Sequence, residues 1–331
     1  MRTAQPAVVS PPPRRRPTSA SGPAAADFAS NSTRSATLPP IALGIPVPVT
    51  LGPYRVFGCL AAIAHGAIYV GRHVQTGERV ALKVLSPRLP LGCDVVRHLL
   101  VEREISRRVG HPGLVSIRDC AIAPEGMPYL VMDLIDGGSL AAEIAARPIA
   151  IGEAAAIGAQ VADALAAMHA HGIVHCDLKP ANVLRTGAGG LGGWPEVKVI
   201  DFGVAHVLDG RPGHAAVGTP LYMPPEQWRG AIVTGTDVYA LGCLLHELLV
   251  GEPPFAGSVR ELMEAHERGG AKPPSRLRPE VPAELDGVIA RALATDPTHR
   301  PPIADLVGLL TALAFANPPG ACSAPPRSVA C

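Results

Sequence analysis

His175-Cys176-Asp177-Leu178-Lys179-Pro180-Ala181-Asn182, followed nineteen residues after Asn182 by Asp201-Phe202-Gly203, decides how this chain folds and what chemistry it can carry. Two carboxylates, an amide and a lysine stand within it. Phosphoryl transfer asks little covalent chemistry of a protein and much placed charge: a carboxylate near the acceptor hydroxyl, oxygen donors for magnesium and an ammonium beside the transferring group. Asp177, then Asn182 and Asp201, and Lys179 are residues of those types in that order.

The run resembles the catalytic loop and metal motif of the bacterial eukaryotic-like (Hanks-type) serine/threonine protein kinases, with the family's H-R-D-L-K-P-x-N altered only at Cys176. The resemblance extends from about Tyr54 to Leu313. It implies an α+β, bilobal fold: a small five-stranded antiparallel sheet lobe with one helix over residues 54–135, and a larger, mainly helical lobe over 136–315. A basic Pro/Ala/Ser-rich tail, 1–53, precedes the lobes and a Pro-rich tail, 316–331, follows them.

The resemblance also implies roles, residue by residue. Asp177 is the base at the acceptor hydroxyl, Lys179 neutralises charge on the transferring phosphoryl, and Thr219 braces both. Asn182 and Asp201 hold Mg2+. In Val80-Ala81-Leu82-Lys83 the lysine faces the α- and β-phosphates of ATP. Its ion-pair partner is Glu102, nine residues before His111-Pro112, with Glu104 as the alternative. Met132 lines the back of the adenine pocket, Asp133 to Ile135 form the hinge, and Ile68, Ala81 and Leu184 are the apolar walls. Lys179-Pro180-Ala181-Asn182 is the serine/threonine form of the loop, so the implied partner is a protein with a Ser or Thr acceptor. Gly218 to Glu226 resembles the segment that shapes the substrate groove, and Glu226 with Arg300 the family's buried ion pair. Asp237 takes the place of the residue that anchors the catalytic loop. His175 reads as a loop-supporting histidine, not a metal ligand, since His169 and His171 offer no zinc geometry with it.

Two departures stand out. Aligned on Tyr54 and Lys83, the family's glycine-rich loop places Ala61, Ile63, Gly66 and Ile68 at its fixed positions, so only the third glycine survives. Glycine lets a backbone approach phosphate, and Ile63 in particular should hold the loop away from the nucleotide, weakening ATP binding. Cys176 replaces the arginine that commonly receives a phosphate from the activation segment. No Ser, Thr or Tyr lies between Gly203 and Gly218, so the two absences agree. Three readings follow: an active serine/threonine protein kinase, a pseudokinase acting as a nucleotide-responsive scaffold, and a small-molecule kinase of the aminoglycoside phosphotransferase type. The third gives no reason for Thr219 to Glu226 or for Arg300.

Composition sets outer limits. The 331 residues carry 29 Lys plus Arg against 28 Asp plus Glu, a formal charge of +1 that argues for no nucleic-acid partner. Seven cysteines at 59, 93, 120, 176, 243, 322 and 331 form no C-x-x-C pair and read as reduced thiols of a cytoplasmic protein. No integral membrane segment and no signal peptide are expected. Residues 1 to about 50 hold five Arg and one acidic residue among Pro, Ala, Ser and Thr, too little apolar surface to offset ordering entropy. Arg14-Arg15-Arg16 there offers charge to an acidic partner.

Short β-branched runs predict strands over 54–60, 67–72, 79–85, 115–118 and 129–132, with a helix over 95–109 inserted after the third. Beyond Asp136-Gly137-Gly138 helical spacing dominates: Ile157, Val161, Leu165 and Met168 in one helix stopped by Gly172, then 237–249, 284–293 and 303–313.

Overall fold

Alternating apolar residues along the first third of the chain build a six-stranded antiparallel sheet. In chain order its members are β1 (Thr50–Leu51), β2 (Tyr54–Ile63), β3 (Gly66–His73), β4 (Arg79–Leu85), β5 (Ile117–Ile122) and β6 (Pro128–Asp133), with the helix α1 (Asp94–Val109) between β4 and β5. The spatial order is β1-β2-β3-β4-β6-β5. The computed structural model describes residues 50–63, 65–86, 94–189, 193–208 and 217–318. Arg14 to Arg16, most of both tails and the middle of the 204–218 segment therefore lie outside the described residues.

Period-two patterning gives the sheet two faces. Leu51, Tyr69, Val80, Leu82, Val84, Tyr129 and Val131 pack together on one. The other carries Ile68 opposite Lys83 and Ala81 opposite Met132, the residues expected around a nucleotide. Leu99 of α1 joins Leu85 and Leu130 in a separate cluster, which seats the helix against the sheet.

The second lobe follows with α2 (Leu140–Ala146), α3 (Ile151–Ala170), β7 (Ile173–Val174), β8 (Val183–Gly189), β9 (Pro195–Val199), β10 (His206–Val207), α4 (Pro225–Trp228), α5 (Thr234–Val250), α6 (Val259–Arg268), α7 (Ala283–Ala292) and α8 (Ile303–Ala316). β8 pairs with β9, and β7 with β10, as two small antiparallel ribbons. The core is the contact of α3 with α5 and α8. Gly158 of α3 marks how close they come, since a Cβ there would stand 2.6 Å from a Leu245 methyl. Ile157, Val161, Leu165 and Met168 are all fully buried, each stabilising the fold by about 1.5–3 kcal/mol. By length and composition α3 could cross a bilayer, but 72% of its apolar window is buried inside the lobe, as a core helix requires. Gly172 ends it at φ +68°, a left-handed turn natural to glycine.

Four features differ from the sequence-based expectation. Thr50–Leu51, expected in the leading tail, forms a sixth strand at the sheet edge, with Leu51 fully buried. The fourth predicted strand lies over Ile117–Ile122 instead of 115–118; Leu114 pairs with Val199 and the Val115 N–H donates to its carbonyl, tying the two lobes together. The hairpin β8–β9 and helices α2 and α6 were not anticipated. α8 also runs to Ala316, one residue past the expected end of the lobe.

Candidate active site

The catalytic-loop stretch is shaped by one buried carboxylate. Asp237, in the first turn of α5, accepts from the backbone N–H of His175 at 2.8 Å and of Cys176 at 3.0 Å, and faces His169 Nε2 at 2.8 Å. Burial works against its charge, yet the His169 contact and the loop N–H groups outweigh it and hold the carboxyl below the usual range. These bonds sustain Cys176 at φ +66°, a conformation that costs a non-glycine residue about 1–3 kcal/mol. The Cys176 thiol is buried, and burial followed by the Asp237 charge pushes it well above the ordinary thiol range, so it is no ready nucleophile. His175 accepts from the Asp177 N–H at its Nδ1, which leaves Nε2–H to donate to the Ile200 carbonyl at 3.2 Å. Its edge packs on Phe202. Both ring nitrogens are thus spent on structure.

Directly beyond, Asp177, Lys179 and Thr219 close a triangle. Lys179 Nζ donates to Asp177 Oδ2 at 2.6 Å and to Thr219 Oγ1 at 2.7 Å, and Thr219 Oγ1 donates to Asp177 Oδ1 at 2.6 Å. Asn182 Nδ2 adds bonds to the Asp177 carbonyl at 2.9 Å and to Oδ2 at 3.2 Å. With its amide nitrogen committed, Asn182 keeps its carbonyl oxygen for another partner.

A second cluster lies between the lobes. Lys83 Nζ stands 2.6 Å from Glu102 Oε1 and 3.0 Å from Asp201 Oδ1. Glu102, not Glu104, is the partner; Glu104 is on the surface with Arg107. Burial alone would lower the Lys83 pKa, but Glu102 and Asp201 reverse that and hold it above the lysine range. Burial pushes Glu102 up to about 7 in spite of Lys83. For Asp201 burial also opposes charge, and Lys83 overcomes it, keeping the carboxyl low. Asp201 sits at φ +68°, and its side chain is 43% exposed, the most open member of the cluster.

Around the cleft, Ala81 pairs with Met132 across β4–β6, Ile68 with Lys83 across β3–β4, and Leu184 of β8 bridges to Ser139, just past Ile135. Gly66 has a packing reason for its identity: a Cβ would stand 1.9 Å from the Val84 carbonyl oxygen. The pairing of β2 with β3 persists to Ile63 opposite Gly66, with Ala61 opposite Ile68. Asp133 spends its carboxylate on Arg118 at 2.7 Å and its N–H on the Ser116 carbonyl, so the cleft gains no free side-chain group from it.

Two features escaped sequence reasoning. Gln227, next to the motif residue Glu226, is buried and donates to the carbonyls of Cys176 at 2.6 Å and Val217 at 2.7 Å, joining the catalytic loop to the groove segment. Arg185 follows Leu184 and binds both Glu143 and Glu153, which Arg147 also joins, fastening β8 to α2 and α3. A Cβ on Gly137 would stand 1.7 Å from the Arg185 carbonyl, so the segment after the hinge lies flush against β8. Glu226 and Arg300 do pair, at 2.5 and 2.9 Å, with Thr236 on the same carboxylate and the Arg300 guanidinium over Tyr239.

Residues 64–308 match the family model described as the protein kinase domain. The chain belongs to the protein kinase family. Among curated relatives, it is 42% identical over 261 residues to the serine/threonine-protein kinase Pkn1 of Myxococcus xanthus, covering 77% of this chain and 37% of that protein. It is 43% identical over 234 residues to PkaA, a serine/threonine-protein kinase of Streptomyces coelicolor, covering 69% and 41%. The chain thus spans about two-fifths of the length of these bacterial kinases. The crystal structure of the kinase domain of PknI from Mycobacterium tuberculosis, a double mutant, superposes with a TM-score of 0.64 at 30% identity, covering 80% of this chain and 97% of that one. The sheet lobe and helical lobe are those of a protein kinase.

Proposed function

We propose that this kinase-family chain transfers the γ-phosphoryl of ATP to a Ser or Thr hydroxyl of a protein. The observation that carries the reading is the closed triangle of Asp177, Lys179 and Thr219. Oδ2 of Asp177 accepts from both Lys179 and Asn182, whereas Oδ1 accepts from Thr219 alone and retains a lone pair, so Oδ1 is the oxygen pre-aimed at an acceptor hydroxyl that takes its proton as the bond to phosphorus forms. Lys179 balances charge on the phosphoryl oxygens, and Thr219 keeps the pair in register.

Lys83, fixed by Glu102, meets the α- and β-phosphates. Ile68, Ala81, Met132, Ile135 and Leu184 sandwich the adenine, with the Asp133 backbone at the hinge. The open oxygen of Asp201 and the uncommitted carbonyl oxygen of Asn182 form a hard, oxygen-only pair that fits magnesium completed by phosphate oxygens. Magnesium held there would supply charge neutralisation on the phosphates. We assign catalysis to the two lobes, 54–135 and 136–315, with β1 added to the first, and place the protein in the cytoplasm, where ATP and reduced thiols are found; among the described residues all four cysteines are free.

Ala61 and Ile63 weaken nucleotide affinity, because β-carbons stand where family members bring bare backbone to phosphate. The same two residues favour the second reading, a pseudokinase. Phosphate transfer from labelled ATP with magnesium, compared among the parent, Lys83→Met and Asp201→Ala, separates the two: signal in the parent alone supports a catalyst, and no signal above the variants supports a scaffold. Nanomolar affinity of the parent for magnesium-ATP would contradict the loop argument.

A further inference from the structure

We propose that Thr50 is a phosphorylation site and that Arg55 and Arg72 receive its phosphate; the proposal rests on the kinase reading for the source of the phosphoryl group. β1 is only two residues long. Leu51 is buried in the sheet core, so its neighbour Thr50 is turned to the opposite face, where it is exposed. There the register aligns Thr50 with Arg55, Arg55 with Arg72 and Arg72 with Arg79, one row across four strands.

Three arginines side by side on neighbouring strands oppose one another. Arg79 has Asp136 at 3.4 Å. Among the described residues no carboxylate is paired with Arg55 or Arg72. Their guanidiniums instead lie 5.8 and 5.9 Å from the ring centroid of Phe57, itself half-exposed. An aromatic ring therefore positions two positive charges and cancels neither, with a hydroxyl at the end of the row.

A phosphothreonine carries a charge of about −1.5 to −2 and three strong acceptor oxygens, the complement of two guanidiniums. Cross-strand neighbours have Cβ atoms about 5 Å apart, which puts Arg55 within direct reach. Arg72 is one strand further, roughly 10 Å from β1, within the combined span of an arginine and a phosphate. In the transfer Thr50 Oγ1 attacks the γ-phosphorus, the bond to the β–γ bridging oxygen breaks, ADP leaves, and the hydroxyl proton passes to the Asp177 carboxylate of the acting kinase. The phosphate then pins β1 to β2, the strand that runs on to Ala61 and Ile63.

The test uses the full chain in two arms. In the first, the protein is incubated with magnesium-ATP in the presence of casein, and its peptides are mapped by mass spectrometry; phosphate on Thr50, absent from Thr50→Val, is expected. Labelled casein with unmodified Thr50 overturns the site. Label on neither protein refutes the kinase reading, and the second arm then decides the arginines alone. There, phosphothreonine is encoded at position 50, and its melting temperature should exceed that of the unmodified chain by about 2–6 °C. In the double variant Arg55→Met/Arg72→Met that rise should vanish, although its unmodified form stays folded. An equal rise in both backgrounds, or none in either, overturns the assignment of Arg55 and Arg72.

Discussion

Gly203 lies against the Glu102 carboxylate: a Cβ on Gly203 would stand 2.9 Å from Oε1, the same oxygen that binds Lys83 Nζ at 2.6 Å. Gly203 therefore leaves room for the ion pair of the opposite lobe. Gly203→Ala should push Glu102 off Lys83 and lower kcat/KM for ATP by about 10- to 100-fold, since an ångström of misplacement near the reacting groups costs on that order. Circular dichroism should remain that of the parent. Unchanged kinetics would mean the contact yields freely.

The raised pKa of Glu102 predicts a pH profile. Below about 7 its carboxyl takes a proton and Lys83, still an ammonium, loses the negative charge of Glu102, so kcat/KM for ATP should fall as pH drops through 7. Glu102→Gln should be slower and lose that inflection. Stability runs the other way: a carboxyl that titrates at 4.5 unfolded and near 7 folded contributes most below 4.5, and this contribution is lost as pH rises through 7. A parent profile without an inflection near 7 would count against the ion pair as the titrating unit.

Asp237 is the residue on which the loop conformation depends. Asp237→Ala strands the N–H groups of His175 and Cys176, each at a cost of about 1–3 kcal/mol, and removes the bonds that hold Cys176 at positive φ. A lower melting temperature together with a fall in kcat at saturating ATP is expected. A stability loss with kcat intact would make Asp237 purely structural.

How legible this was depends on how local each signal is. Asp177, Asn182, Asp201 and Lys83 stand in short motifs whose residue types are set by chemistry, so the resemblance to the kinase family implies a role for each of them from a few contiguous residues. β5 was misplaced because it is an edge strand carrying Arg118 and Asp119, while the apolar Leu114 and Val115 beside it are buried for another reason, their contact with Val199. α6 has a visible capping box, Ser258 with Glu261, but is mostly polar, so apolar spacing passed over it. Arg185 with Glu143, Arg147 and Glu153 was out of reach, because its members meet only after three separate elements pack.

His266 of α6 gives a stability prediction distinct from the active site. Its ring packs against Tyr239 and Phe255, Nδ1 lies 2.7 Å from the Tyr239 hydroxyl, and the buried Nε2 has no hydrogen-bond partner. Burial lowers its pKa from 6.5 to about 4. The folded state thus needs the neutral ring, and its contribution to stability, complete above 6.5, is lost as pH falls toward 4. Thermal melts across that window should show a steeper loss in the parent than in His266→Gln; parallel curves would show that His266 does not titrate as described.

Asp177 at the acceptor hydroxyl is the centre of the account, and one paired measurement addresses it. Magnesium-ATP affinity and phosphate transfer to casein are measured on the parent and on Asp177→Asn. Similar nucleotide affinity is expected for both, with transfer by the parent that falls about 10²- to 10⁴-fold in the variant, the range supplied by a positioned base. Equal transfer by the two proteins, or a parent that binds nucleotide and transfers nothing, would contradict it.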